Sequence, residues 1–148
     1  NKNTYAYNRM AGRLHVALLY KRIYNQSTPP SIKEVHTNLV SHGLMSEAFV
    51  SSFSDEDYVE LEKIIDHKKD LKYAHYQLDQ ILDKYSLHDR VNGIFFETPQ
   101  FVYMRVAMRM CMNKGTDKDR LQRIKRHYTQ YSNNTVNIPT PYFTNSRN

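Results

Sequence analysis

Thr98-Pro99-Gln100-Phe101-Val102-Tyr103-Met104-Arg105-Val106-Ala107-Met108-Arg109-Met110-Cys111-Met112 reads as one helix with almost no polar face. Thr98 suits an N-cap. Pro99 follows at the first helical position, where a missing N–H leaves nothing unpaired and the fixed φ already fits. Phe101, Val102, Met104, Val106, Ala107, Met108, Met110 and Cys111 then cover most of the circumference. A helix that is apolar nearly all round must be covered nearly all round. The segment therefore predicts a central core helix, with the other elements as its cover.

Those elements are helical on both sides. Downstream, Gly115-Thr116 ends the core helix and caps another, expected to run to about Ser132 with Leu121, Ile124, Tyr128 and Tyr131 as its inward stripe. Upstream, Arg90–Phe96 carries the one β signal, since Asn92-Gly93 is a type I′ turn pair flanked by β-formers. Tyr73 to Tyr85 has helical spacing through Leu78, Ile81, Leu82 and Tyr85, and Asp66 to Asp70 interrupts it. Ser54-Asp55-Glu56-Asp57 opens a helix with Tyr58, Leu61, Ile64 and Ile65 inward, its first-turn acids matched to the positive helix end. Ser46 to Phe53 predicts a short helix. Ser31-Ile32-Lys33-Glu34 is a capping box, with Gly43 as the terminator of the helix it opens. Thr4 to Tyr24 predicts a long helix. Met10, Leu14, Ala17, Leu18 and Lys21 form its apolar spacing, widened by Val16, Leu19 and Ile23. The expectation is a mainly α domain of about six helices and one short β-hairpin over residues 1–134, followed by an extended segment over 135–148.

The chain of 148 residues is long enough for one domain with a core. Its hydrophobic content of 40% against 24% charged residues excludes a disordered chain. No apolar run approaches the roughly 18 residues of a membrane span. The start, Asn1-Lys2-Asn3, has neither an initiator Met nor an apolar leader, which reads as a piece of something longer. The one cysteine, Cys111, cannot close an internal disulfide and points to a reducing, cytoplasmic setting. The net charge of +6 invites a nucleic-acid reading. Yet the densest basic set, Lys118, Arg120, Arg123, Lys125 and Arg126, falls on the circumference left by an apolar stripe, as a solvated helix face would. No nucleic-acid or membrane partner is expected.

Two places offer candidate chemistry. Pro139-Thr140-Pro141 is constrained: each proline fixes its φ, and Ile138 and Thr140 are pushed to extended backbone. Thr140 then presents a hydroxyl and an N–H from a stiff segment, suited either to a phosphate or to a plain linker. Asp66, Asp70 and His75 offer metal donors. However, no His-x-x-x-His or Cys-x-x-Cys pair exists and Lys68 and Lys69 crowd the segment, so no metal ligand is assigned. The carboxylates there suit capping of backbone N–H groups or pairing with basic neighbours. Cys111, inside an apolar helix, reads as an inert small hydrophobe. The four glycines are scattered and make no phosphate loop, and no catalytic residue is assigned.

Four ordered segments together resemble the large (alpha) subunit of class I ribonucleotide reductases. They are Tyr5-Ala6-Tyr7-Asn8 through Tyr24-Asn25-Gln26, Ile65-Asp66-His67-Lys68-Lys69-Asp70-Leu71-Lys72-Tyr73, Arg90-Val91-Asn92-Gly93 with Glu97-Thr98-Pro99-Gln100-Phe101, and Val136-Asn137-Ile138-Pro139-Thr140-Pro141. The resemblance implies that residues 1–134 are that family's all-helical N-terminal domain and that 135–148 enter its catalytic α/β barrel, which this chain lacks. It also implies that Thr140 matches the Ser/Thr position contacting the substrate diphosphate, with the redox cysteines lying in the barrel. The implied activity is radical reduction of ribonucleoside diphosphates to deoxyribonucleotides for DNA synthesis, with the fragment alone inactive. Implied partners are the remaining barrel polypeptide, a radical-generating small subunit with its metal/tyrosyl radical, ATP and dNTP effectors, and thioredoxin or glutaredoxin as reductant. Tyr142-Phe143-Thr144-Asn145-Ser146-Arg147-Asn148 departs from the family, where small residues are usual around Thr144 and Asn145 and a Thr-Pro-Thr-Arg follows the arginine. A non-catalytic helical interaction module and a basic nucleic-acid-binding helical domain are the alternatives.

Overall fold

The computed structural model describes residues 2–113, 115 and 117–134. Along the chain come α1 (Lys2–Tyr24), α2 (Ile32–Ser41), α3 (Glu47–Ser51), α4 (Asp55–Ile64), a 3-10 helix (His67–Lys72), α5 (His75–Tyr85), β1 (His88–Asp89), β2 (Ile94–Phe95), α6 (Pro99–Cys111) and α7 (Asp117–Ser132). The mainly α architecture with one hairpin is the expected one, with seven α-helices among the described residues rather than about six. No described helix is long and apolar enough to cross a membrane.

Helix α6 is the centre. Phe101, Val102, Met104, Ala107 and Met108 are all fully buried, the four larger side chains each stabilising the fold by roughly 1.5–3 kcal/mol. Its most extensive packing is with α7, which contributes Ile124, Tyr128 and Tyr131 to the same core. Helix α4 packs on α7, and α2 covers α3 and α4.

Local signals set the helix ends. Ser31 and Glu34 close the expected capping box, with Ser31 N–H donating to Glu34 Oε2 at 2.7 Å and Glu34 N–H to Ser31 Oγ at 3.3 Å. Gly43, at φ 68°, ends α2 in a Schellman arrangement: Leu44 N–H reaches Leu39 O and Gly43 N–H reaches Val40 O, both at 2.9 Å. Ser54 and Asp57 form a second capping box at the start of α4.

Four expectations need correction. Helix α1 does not bury the Met10, Leu14, Leu18 line, whose members are 60–63% exposed. Its buried residues are Gly12, Val16, Leu19 and Tyr20. Gly12 decides this choice of face, because a Cβ there would stand 2.8 Å from Tyr73 O. Only a glycine lets the backbones approach so closely. Second, the hairpin turn is not type I′, which needs positive φ at both central residues. Among the described residues Gly93 has φ 66° but Asn92 is not positive. Asp89 pairs with Ile94 across a four-residue loop. The Asp89 carboxylate holds that loop by accepting from Val91 N–H at 2.9 Å and Asn92 N–H at 3.2 Å.

Third, the inside of α6 is not wholly apolar, since Arg105 is fully buried. Its guanidinium grips Glu97, with Nε to Oε1 at 2.7 Å and Nη2 to Oε2 at 3.2 Å, and Nη2 also donates to Tyr85 O at 2.9 Å. Fourth, Arg120 is not part of a solvated basic face. It donates to Asp57 Oδ2 at 2.9 Å and to Ser52 O at 3.0 Å, and lies over the Phe53 ring. Lys118, Lys125 and Arg126 are exposed as expected.

Candidate functional site

The end of α7 delivers the chain to residue 135, and three elements fix its position. Tyr128, one turn before the end, is buried by its place on the inward stripe. Its hydroxyl donates to Gln100 Oε1 on α6 at 2.7 Å and accepts from Asp66 N–H at 2.9 Å. Lys69, on the 3-10 helix, donates to Ser132 Oγ at 2.9 Å and Asn133 Oδ1 at 2.8 Å, with its ammonium 5.8 Å from the Tyr128 ring centroid. Asn134, at φ 55°, takes the left-handed conformation that stops a helix, its N–H reaching Tyr131 O at 3.1 Å.

Beneath this exit lies Asp70, 1% exposed. It accepts a hydrogen bond from Tyr20 Oη at 3.1 Å, which ties α1 to the 3-10 helix. Burial pushes its carboxyl up to about 7, against the lowering pull of Gln100, His67 and Tyr20. His36, on α2, lies fully buried against α3 and α4, its Nδ1 3.1 Å from Tyr58 Oη and its ring edge-on to Phe49. Burial, and then the charge of Arg105, lower it to about 3.

The segment Asp66 to Asp70 thus divides its labour. Asp66 caps the 3-10 helix as expected, accepting from Lys68 N–H at 3.1 Å. Asp70 is buried rather than on the surface, and there Gln100, in the first turn of α6, bonds it through both backbone and side chain, in line with the expected capping of backbone N–H groups. His75 joins neither of them; it lies instead beside His15 and Asp79, on α1 and α5. Cys111 is buried at 1% exposure in the α6 core, where a thiol is inert. Thr140, with Pro139 and Pro141, lies outside the described residues. The Glu97–Arg105 pair and the Tyr128–Gln100 bond were not legible beforehand. Their only trace is a polar residue at an otherwise apolar helix position.

Residues 71–148, just over half of the chain, match the family model described as ribonucleotide reductase, all-alpha domain. The chain belongs to this family. Among similar proteins is the ribonucleoside-diphosphate reductase subunit alpha of Buchnera aphidicola subsp. Schizaphis graminum (strain Sg), 32% identical over 148 residues, which are 99% of this chain and 19% of that protein. Ribonucleoside-diphosphate reductase 1 subunit alpha of Escherichia coli (strain K12) is 29% identical over 141 residues, covering 95% of the chain and 18% of the relative. The subunit alpha of Enterobacteria phage T4 matches with the same identity and coverage. The chain spans just under a fifth of the length of these relatives. In this reductase all-alpha domain, the matched residues include α5, the hairpin, α6, α7 and the segment that carries Thr140.

Proposed function

We propose that this chain works as the all-α part of a ribonucleoside-diphosphate reductase alpha subunit, forming one wall of the substrate site in an enzyme that makes deoxyribonucleotides. The observation that carries this reading is likeness along 95–99% of the chain to proteins named as that subunit. Within it, Thr140 is the residue that meets substrate. Its hydroxyl and N–H bond a diphosphate oxygen, and the flanking prolines hold the backbone extended for that contact. The fixed exit of α7 supports this role, because a substrate contact six residues past Asn134 needs a firm starting point.

The chemistry belongs to other parts of the enzyme. A barrel polypeptide supplies the redox cysteines, a small subunit supplies the radical from its metal/tyrosyl centre, and thioredoxin or glutaredoxin returns electrons. ATP and dNTPs act as effectors through a separate domain. This chain contributes binding and shape. In the assembled reductase, Thr140→Ala is expected to raise the KM for a ribonucleoside diphosphate about tenfold, a loss of about 1.4 kcal/mol, with a smaller change in kcat. An unchanged KM would remove Thr140 from the substrate site.

A further inference from the structure

We propose that His15, His75 and Asp79 form a site for a divalent transition-metal ion of the zinc class, and that the bound ion ties α1 to α5. His75 and Asp79 lie one turn apart on α5, the i, i+4 spacing that lets one helix face offer two ligands to one ion. His15 comes from α1. Asp79 reaches both imidazoles with its two oxygens, Oδ1 3.5 Å from His15 Nε2 and Oδ2 3.0 Å from His75 Nδ1. The ligand atoms of all three residues lie within 4.8 Å of one another. Ligands on a tetrahedral ion with bonds of about 2.0–2.1 Å are spaced about 3.3 Å apart. The two Asp79 separations, one from each carboxylate oxygen, are of that order, so a small rotation of the carboxylate would present one oxygen with both imidazoles to the ion.

The donor chemistry selects the ion. Two imidazoles and one carboxylate suit Zn2+, Ni2+ or Cu2+, whereas Mg2+ prefers an all-oxygen octahedron. His15 Nε2 is shielded from solvent, and its 3.5 Å approach to Asp79 is long for a hydrogen bond. It is therefore a buried nitrogen whose lone pair or proton lacks a good partner, and metal ligation would satisfy it. The rings now stack with centroids 3.8 Å apart and a tilt of 34°. Convergence on an ion needs a turn of His75, whose side chain is 62% exposed and has room to make it. A cleft of about 420 Å³ opens beside His15 and Asp79, so water can complete the coordination. Asp83 and Arg22 also line it. The carboxylates of Asp79 and Asp83 against one guanidinium leave a net negative charge, and Arg22 is drawn over the Phe95 ring at 5.5 Å.

The consequence is structural. The ligands come together only when α1 is docked, so an ion binding them favours the docked state and raises stability by mass action. Calorimetric titration of the full chain with ZnCl2 in a non-chelating buffer at about pH 7.5 tests this, since imidazole must be deprotonated to bind. One Zn2+ per chain is expected, reversed by EDTA, with no MgCl2 binding over the same range. His75→Ala and Asp79→Asn, both at exposed positions, are expected to weaken Zn2+ at least about tenfold, as is His15→Ala, while His42→Ala changes nothing. The Zn2+-dependent rise in thermal midpoint disappears in His15→Ala. Absence of Zn2+ binding, or an affinity that His15→Ala and His75→Ala leave within about twofold of wild type, overturns the site. Neither result bears on the reductase reading.

Discussion

At the scale of single residues, two buried charges govern how this protein responds to its surroundings. Asp70 holds its proton more tightly when folded, its carboxyl rising from 3.8 to about 7. Its contribution to stability is therefore complete below about pH 4 and lost as pH rises through about 7. The unfolding free energy of wild type minus that of Asp70→Asn, from urea titrations between about pH 4 and 8, is expected to fall with rising pH. The fall is at most about 4 kcal/mol at ~1.36 kcal/mol per tenfold change in proton affinity. A flat difference contradicts the burial of this carboxyl. His36 acts in the opposite sense, depressed from 6.5 to about 3, so its contribution is lost as pH falls below about 6.5. It is common to both proteins and cancels in the difference. The second charge is Arg105. Arg105→Ala leaves the Glu97 carboxylate buried beside Leu87 N–H without its counter-ion, a loss expected to cost about 3–5 kcal/mol. Arg109→Ala, on the half-buried side of the same helix, is expected to stay within about 1 kcal/mol. Urea unfolding of the two variants separates these outcomes.

At the scale of elements, the helices with caps were legible and the long first helix was legible only in part. The capping box at Ser31, the helix start at Ser54 and the glycine stop at Gly43 are local signals, so the residues that make them are neighbours in sequence; the box that Ser54 closes with Asp57 was read only as a helix start with acids in its first turn. Helix α1 carries two apolar lines, and nothing within it says which turns inward. That choice comes from the approach of Gly12 to Tyr73 O and the bond from Tyr20 to Asp70, both made with distant residues. Gly12→Ala tests the assignment. Alanine favours an isolated helix over glycine by about 1 kcal/mol, yet its Cβ would force α1 away from the 3-10 helix. A net destabilisation of about 1–3 kcal/mol is expected by urea unfolding. Leu18→Ala, on the exposed line, is expected to cost less than about 0.5 kcal/mol. A stabilising Gly12→Ala would mean that α1 docks differently. The hairpin taught a similar lesson. Its position was readable from Asn92-Gly93, but Asp89 outcompeted the two-residue turn by offering a carboxylate to the loop N–H groups.

At the scale of the whole molecule, the apolar run at 99–112 did foretell a central helix, and the mainly α fold followed from covering it. What the run concealed was its polar interior. Arg105 with Glu97, and Gln100 with Tyr128, are buried pairs whose partners come from other turns and helices. The Gln100–Tyr128 bond and Lys69 give α7 a fixed end, from which the chain passes to the proline-flanked Thr140. Membership of the reductase all-alpha family makes that exit the part of the molecule closest to its proposed work. The most direct measurement mixes this chain with the complementary reductase barrel polypeptide and the small subunit, then assays ribonucleoside diphosphate reduction. The account expects a stable complex and dithiol-dependent deoxyribonucleotide formation that needs the chain to be present, with Thr140→Ala raising KM. No association, or activity that is the same without the chain, would contradict it.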